Sequence, residues 1–332
     1  SNKDALALRG RIASCYLDHL EDAGSTLREV RELLADDAPE EENLGLLERV
    51  VALDQSPADV RQGALDLLRH RYEAAERAED VVRVVGVALG FATGAMKVEL
   101  HRELGERIAL RGDPVEAMAH WAAVLALDPA AEDAQAELAT LAHKAGAHDR
   151  YASALVAAAD AAPPGPRQYS LLVEAGDVIA NDLGDGGAAI ELYQRVLNGE
   201  ALAPRKLTVG RRVEKLLDAD ERYEERLAVL EGLAEAETDP VERRRVLGSC
   251  ARLAERLEDW DRALGFWQQR LATDASDLEA LDALIELTGR LERWASHVDA
   301  LRRRVQADVP DMQRRLDLAR IASTQAHQLE QI

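Results

Sequence analysis

Aromatic residues make up only 4% of this 332-residue chain, and cysteine is scarcer still, with two. Cys15 and Cys250 stand far apart and in no paired spacing. A disulfide framework and a cysteine-based zinc site are therefore not expected, and the reducing cytoplasm is the compartment this usage implies. The ten prolines and twenty-one glycines fall mostly between periodic runs, while Ala, Leu, Glu and Arg dominate. That combination argues for nearly continuous helix and against a β-rich fold. Long hydrophobic runs are missing as well: Val81-Val82 and Val84-Val85 are split by Arg83, so no segment is long enough to span a bilayer. The chain opens on no basic-apolar leader.

Positive charge is in deficit. The formal net charge of −21 argues against sequence-independent binding of nucleic acid, which needs a dominant basic face, and against docking on anionic lipid. Lysine supplies five of the forty-one basic residues, an arginine bias read here as codon usage in a GC-rich bacterial genome.

What is present is a period. Leu257-Glu258-Asp259-Trp260 returns as Leu291-Glu292-Arg293-Trp294 thirty-four residues on, and the same spacing separates Gly112 from Gly146 and Pro129 from Pro163. One structural unit is being restarted along the chain, so length alone does not require separate globular cores. Short punctuations mark the restarts. Gly112-Asp113-Pro114 stops one helix and starts another, as does Leu127-Asp128-Pro129. Further breaks fall at Ser56-Pro57, Pro163-Pro164-Gly165-Pro166, Gly184-Asp185-Gly186-Gly187, Ala203-Pro204, Asp239-Pro240 and Val309-Pro310. Helices of roughly twelve to eighteen residues joined by short loops must run antiparallel to their neighbours.

The stretch Val98 to Ala131 resembles a tetratricopeptide repeat, a pair of antiparallel helices in thirty-four residues. Leu104-Gly105 and Ile108 match the first helix of that pattern, Ala117 and Trp121 the second, and Pro129 its closing proline. Small Gly105 and Ala117 let the helices approach, while Leu104, Ile108 and Trp121 fill the space around them. Leu138, Ala139, Ala142, Gly146, Leu155, Ala158 and Pro163 keep the register in the next unit. A third unit, around Ser170 to Ala203, has Ala189 and Tyr193, and a later one has Ala263 and Trp267, both at the separation of Ala117 and Trp121. The unit from Leu278 departs, with His297 in place of the small residue and Leu301 in place of the aromatic. In Ala58 to Ala95, Asp80-Val81 replaces that pair.

The resemblance implies an all-α fold, a right-handed superhelical solenoid of about eight or nine helix pairs. The expected organisation is an irregular helical region over 1–54, continuous with a repeat array over 55–332. Arg11-Ile12-Ala13-Ser14 reappears as Arg320-Ile321-Ala322-Ser323, each followed by Leu-Glu, at Leu20-Glu21 and Leu329-Glu330. The last segment therefore reads as the opening helix of a further repeat, interrupted at Gln331-Ile332, and Ser1-Asn2 reads as a remnant of cloning.

No catalytic constellation emerges, and no enzyme, cofactor or metal site is expected. Carboxylates sit at helical spacing beside arginines, as in Glu221, Arg222, Glu225 and Arg226, the pattern of solvated faces. His143 and His148 straddle a turn at Gly146 and read as surface histidines. The Gly184 to Gly187 segment lacks the lysine and hydroxyl of a phosphate loop. The four tryptophans read as packing residues, and Cys250 shares a core face with Leu247 and Ala254.

An extended repeat surface suits the binding of a partner protein. In the family it resembles, the first helix of each pair lines a concave groove that touches bound peptide. The aligned positions here are Glu99, Arg102 and Glu106; Asp133, Thr140, His143 and Lys144; Glu174, Val178 and Asn181; then Arg211 with Lys215, and Arg245 with Arg252 and Arg256. The last five are basic, and guanidinium groups grip carboxylates in pairs. The expected function is a scaffold holding a protein or peptide partner, with these five binding an acidic segment or C-terminal carboxylate. Only Asn181 matches the asparagine of the family's carboxylate clamp, and it lies in another unit. Self-association of the array, or service as an accessory region of a larger enzyme or sensor, is the alternative.

Overall fold

In a computed structural model the protein is described over residues 2–36 and 38–328. Ser1, the Leu329-Glu330 repetition and the end at Gln331-Ile332 lie outside the described residues. Among the described residues the chain forms eighteen α-helices and no strand. It divides into two compact units, 1–184 and 185–332. The first holds α1 (Asn2–Leu20), α2 (Ala23–Ala35), α3 (Glu40–Ala52), α4 (Ala58–Ala74), α5 (Ala78–Leu89), α6 (Gly94–Arg111), α7 (Pro114–Leu127), α8 (Glu132–Ala145), α9 (His148–Ala161) and α10 (Pro166–Asn181). The second holds α11 (Gly186–Leu197), α12 (Ala203–Ala219), α13 (Tyr223–Ala236), α14 (Pro240–Arg256), α15 (Trp260–Thr273), α16 (Leu278–Arg290), α17 (Trp294–Gln306) and α18 (Asp311–Gln328).

Within each unit successive helices pack as antiparallel pairs: α1/α2, α4/α5, α6/α7 and α8/α9, then α12/α13, α14/α15 and α16/α17. One turn closes all seven. A left-handed residue follows each first helix, directly at Glu21, Gly112 and Gly146 and one position later at Glu76, Glu221, Glu258 and Glu292. The next N–H reaches back five residues in most of them, as Asp113 to the Ile108 carbonyl at 3.3 Å and Asp259 to that of Ala254 at 2.9 Å, which satisfies carbonyls the ending helix leaves open. Two capping chemistries then start the second helix. Asp22, Asp113 and Asp259 accept from the backbone N–H three residues on, whereas Arg77 and Arg222 reach an acidic side chain there, Asp80 at 2.7 Å and Glu225 at 2.8 Å.

Ala117, Val124, Leu138, Leu155 and Ala158 are wholly buried between helices of the first unit, as are Ala263, Leu281 and Leu301 in the second. A Cβ on Gly105 would lie 2.7 Å from Nε1 of Trp121, and one on Gly210 2.7 Å from Cδ2 of Leu233. The departures foreseen at α5 and α17 leave the pairs intact. Val81 is fully buried, and Leu301 fills the aromatic position. Buried His297 presses its ring against Gly289, so the small residue has moved to the partner helix, and its Nδ1 meets the Ile285 carbonyl at 2.9 Å. The repeat expected over Ser170 to Ala203 straddles the boundary between the units.

Candidate protein-binding face

The face in question lies on the first helices α12, α14 and α16 of the second unit. Helix α14 buries Leu247, Cys250, Ala251 and Ala254 against its neighbours. Arg245, Arg252 and Arg256, spaced seven and four, therefore point outward. Burial pushes the Cys250 thiol up to about 12, which suits an inert core residue.

The five basic residues are not equivalent. Arg211 donates to the buried Glu237 carboxylate at 3.0 Å and lies 3.5 Å from Glu242. Glu237 also accepts the backbone N–H groups of Thr238 and Asp239, so Arg211 braces the connection from α13 to α14. Glu242 is shared with Arg245 at 3.0 Å, and Arg252 reaches Glu279 on α16 at 2.6 Å. Arg256 lies 4.0 Å from the Tyr223 ring centre and donates to its hydroxyl at 2.9 Å. Lys215, one turn from Arg211, is exposed, with no ion pair among the described residues.

Successive first helices in each unit are joined along one side by such contacts. Arg69 meets Glu103 between α4 and α6, and Arg102 meets Asp133 between α6 and α8. Glu174 of α10 accepts from Gln135 of α8 and from the Tyr151 hydroxyl. Of the remaining aligned positions, Glu99, Glu106, Thr140, His143, Lys144 and Asn181 are exposed. Val178 is buried, because it faces the helix packing and not the groove, and leaves the set of candidate contacts.

Three features of the packing had no signal in the sequence. The N-terminal aromatic of a second helix stacks on an arginine ending the next first helix, as Tyr223 does on Arg256 and Trp260 on Arg290 at 4.2 Å. Buried arginines of second helices clasp acids on the following first helix. Arg270 holds Asp277 at 2.7 Å and Glu279, and Arg304 holds the fully buried Asp317 at 2.8 Å. His101 and His120 meet between α6 and α7. Each contact joins residues thirteen or more apart except the Arg270 pairs, so no local spacing marks them.

No family model matches the chain, and no curated protein matches it in sequence. Several solved structures are similar to it, two of the following three described as TPR proteins. YrrB, described as a TPR protein with an unusual peptide-binding site, is 15% identical over 55% of this chain and 90% of its own, with a TM-score of 0.31. The C-terminal part of a TPR repeat-containing protein from Cytophaga hutchinsonii is 14% identical over 83% of this chain and 99% of its own, with a TM-score of 0.33. MamA from residue 41 to its end, from Desulfovibrio magneticus, is 18% identical over 71% and 99%, with a TM-score of 0.28. The fold is a tetratricopeptide-like array of helix pairs. Its basis is the shared turn and the small-against-large packing of this chain's own helices.

Proposed function

We propose that the chain is a non-catalytic scaffold that holds a segment of a partner protein on the exposed faces of its first helices. Arg211, Lys215, Arg245, Arg252 and Arg256 on α12 and α14 then engage the carboxylates of an acidic segment. The observation that carries this reading is the division of α14. One face is wholly committed to the core, and the other presents Arg245 and Arg252 with side chains 68% and 54% exposed. Exposed ion pairs such as Arg245 with Glu242 contribute about 0 to 1 kcal/mol, so an incoming carboxylate can exchange with Glu242 or Glu279 at little loss. Fold alone does not assign a function, so the reading rests on this face.

Catalysis is not part of the proposal, since the carboxylates here are tied to arginines. Among the described residues no helix is long and apolar enough to cross a membrane. A cytoplasmic setting, implied by the cysteine usage, belongs to the same proposal. The test is affinity capture from a lysate of the source organism, run in parallel with Arg245→Glu, Arg252→Glu. A protein held by the native chain and lost by the folded variant supports the face; an identical captured set in both overturns it.

Self-association is favoured by one observation of its own. Met312 and Leu316, one turn apart on α18, are 68% and 52% exposed, an apolar surface that a second copy could cover. Sedimentation across concentration decides it, because self-assembly requires mass above one chain with no ligand added.

A further inference from the structure

We propose that His101 and His120 form a metal-binding pair that takes one zinc or nickel ion between their Nδ1 atoms, bridging α6 to α7. The two Nδ1 atoms lie 3.1 Å apart, with ring centres 5.3 Å apart and planes inclined at 47°. Zinc bound by imidazole at about 2.0–2.1 Å sets its two nitrogens about 3.3 Å apart in tetrahedral geometry and about 2.9 Å apart at a right angle. The observed separation falls between these values, so one ion fits the distance once the rings turn to aim both lone pairs at it.

Both rings are half-buried, and burial lowers the basicity of each below the ordinary histidine value. At neutral pH they present uncharged imidazoles, the form that binds metal. The charged groups acting on them are Lys97, one turn before His101, and Glu116, one turn before His120 and paired with Arg111. Without metal, one ring carries its proton on Nδ1 and donates it to the other. For metal, that proton moves to Nε2 of the same ring through solvent, so a neutral pair binds without net proton release.

The other histidines lack this arrangement. His143 and His148 lie edge-on at 6.4 Å, with His148 near Asp182, and Nδ1 of His297 is occupied by the Ile285 carbonyl. Among the described residues no group of three or more His, Cys, Asp or Glu could hold a metal ion. The pair thus supplies two donors, with water or a donor from a bound protein at the open positions.

Isothermal titration of the whole chain with zinc and with nickel at pH 7.5 tests this, beside His101→Ala, His120→Ala and His143→Ala. One equivalent of zinc or nickel should bind the native chain, be reversed by chelator and raise its melting temperature. That isotherm should vanish in His101→Ala and His120→Ala and persist in His143→Ala, while magnesium gives none. His120→Gln, which keeps a polar side chain, repeats the test if an alanine variant loses helix content. Absence of a one-equivalent site in the native chain, or its survival in His101→Ala or His120→Ala, overturns the proposal.

Discussion

The indole of Trp121 lies directly over Gly105, so close that a single methyl group on Gly105 would sit 2.7 Å from Nε1. Gly105→Ala should therefore lower the stability of the first unit by about 1–3 kcal/mol, the range for overpacking a filled core. Gly86, on the exposed side of α5, has nothing within 4 Å of its missing Cβ. There the same change should stabilise by about 0.5–1 kcal/mol through helix propensity alone. Urea midpoints of the two variants should move in opposite directions.

Glu21, Glu76, Glu221, Glu258 and Glu292 occupy a left-handed conformation that two other pairs assign to Gly112 and Gly146. A side chain there costs about 1 kcal/mol in backbone strain. Glu258→Gly should accordingly stabilise the α14/α15 pair by up to about 1 kcal/mol, and Gly146→Ala should destabilise α8/α9 by a similar amount. Thermal melts of the two variants check the opposite signs.

The same turns show how much of the fold the sequence displays. Gly112-Asp113-Pro114 can be read as a turn because glycine and proline announce it. Glu221 and Glu76 cannot, since glutamate normally favours helix; only Glu258 and Glu292 are legible, through the repeated Leu-Glu two residues before Trp260 and Trp294. The outward direction of Arg245 and Arg252 followed from helical periodicity. Periodicity could not show that Arg211 is tied to Glu237 or that Arg256 lies on Tyr223, because those partners sit twenty-six and thirty-three residues away. The His101 and His120 pair was invisible among eight scattered histidines for the same reason.

Asp317 is fully buried yet charged. Burial alone would raise its pKa, but the hydrogen bonds from Arg304 and Gln313 outweigh that cost and hold it below the usual carboxylate value. A depressed folded pKa contributes stability above the unfolded value of about 3.9 that is lost as pH falls through the folded one. The attachment of α18 to α17 should weaken only below about pH 4. Asp317→Ala should cost about 3 kcal/mol at neutral pH, the low end for breaking a buried pair, because Arg304 keeps Asp282. Acid titration followed by circular dichroism should show the native transition and its displacement in the variant.

Hydrogen exchange should be uneven along the chain. The glycine turn at Gly184 to Gly187 marks the division between the two units, whereas residues 98–163 form tightly packed pairs with wholly buried alanines. Amides at 184–187 should exchange faster than the α6–α9 core, in line with nearest-neighbour stability in repeat arrays. Equal protection would contradict that view.

The most direct measurement on the binding face is the affinity of a captured partner segment for the native chain and for Arg245→Glu, Arg252→Glu, at low and high salt. Affinity that falls with salt in the native chain, and is lost in the folded variant, is the predicted result. Affinity unchanged by the charge reversal and indifferent to salt would contradict the account.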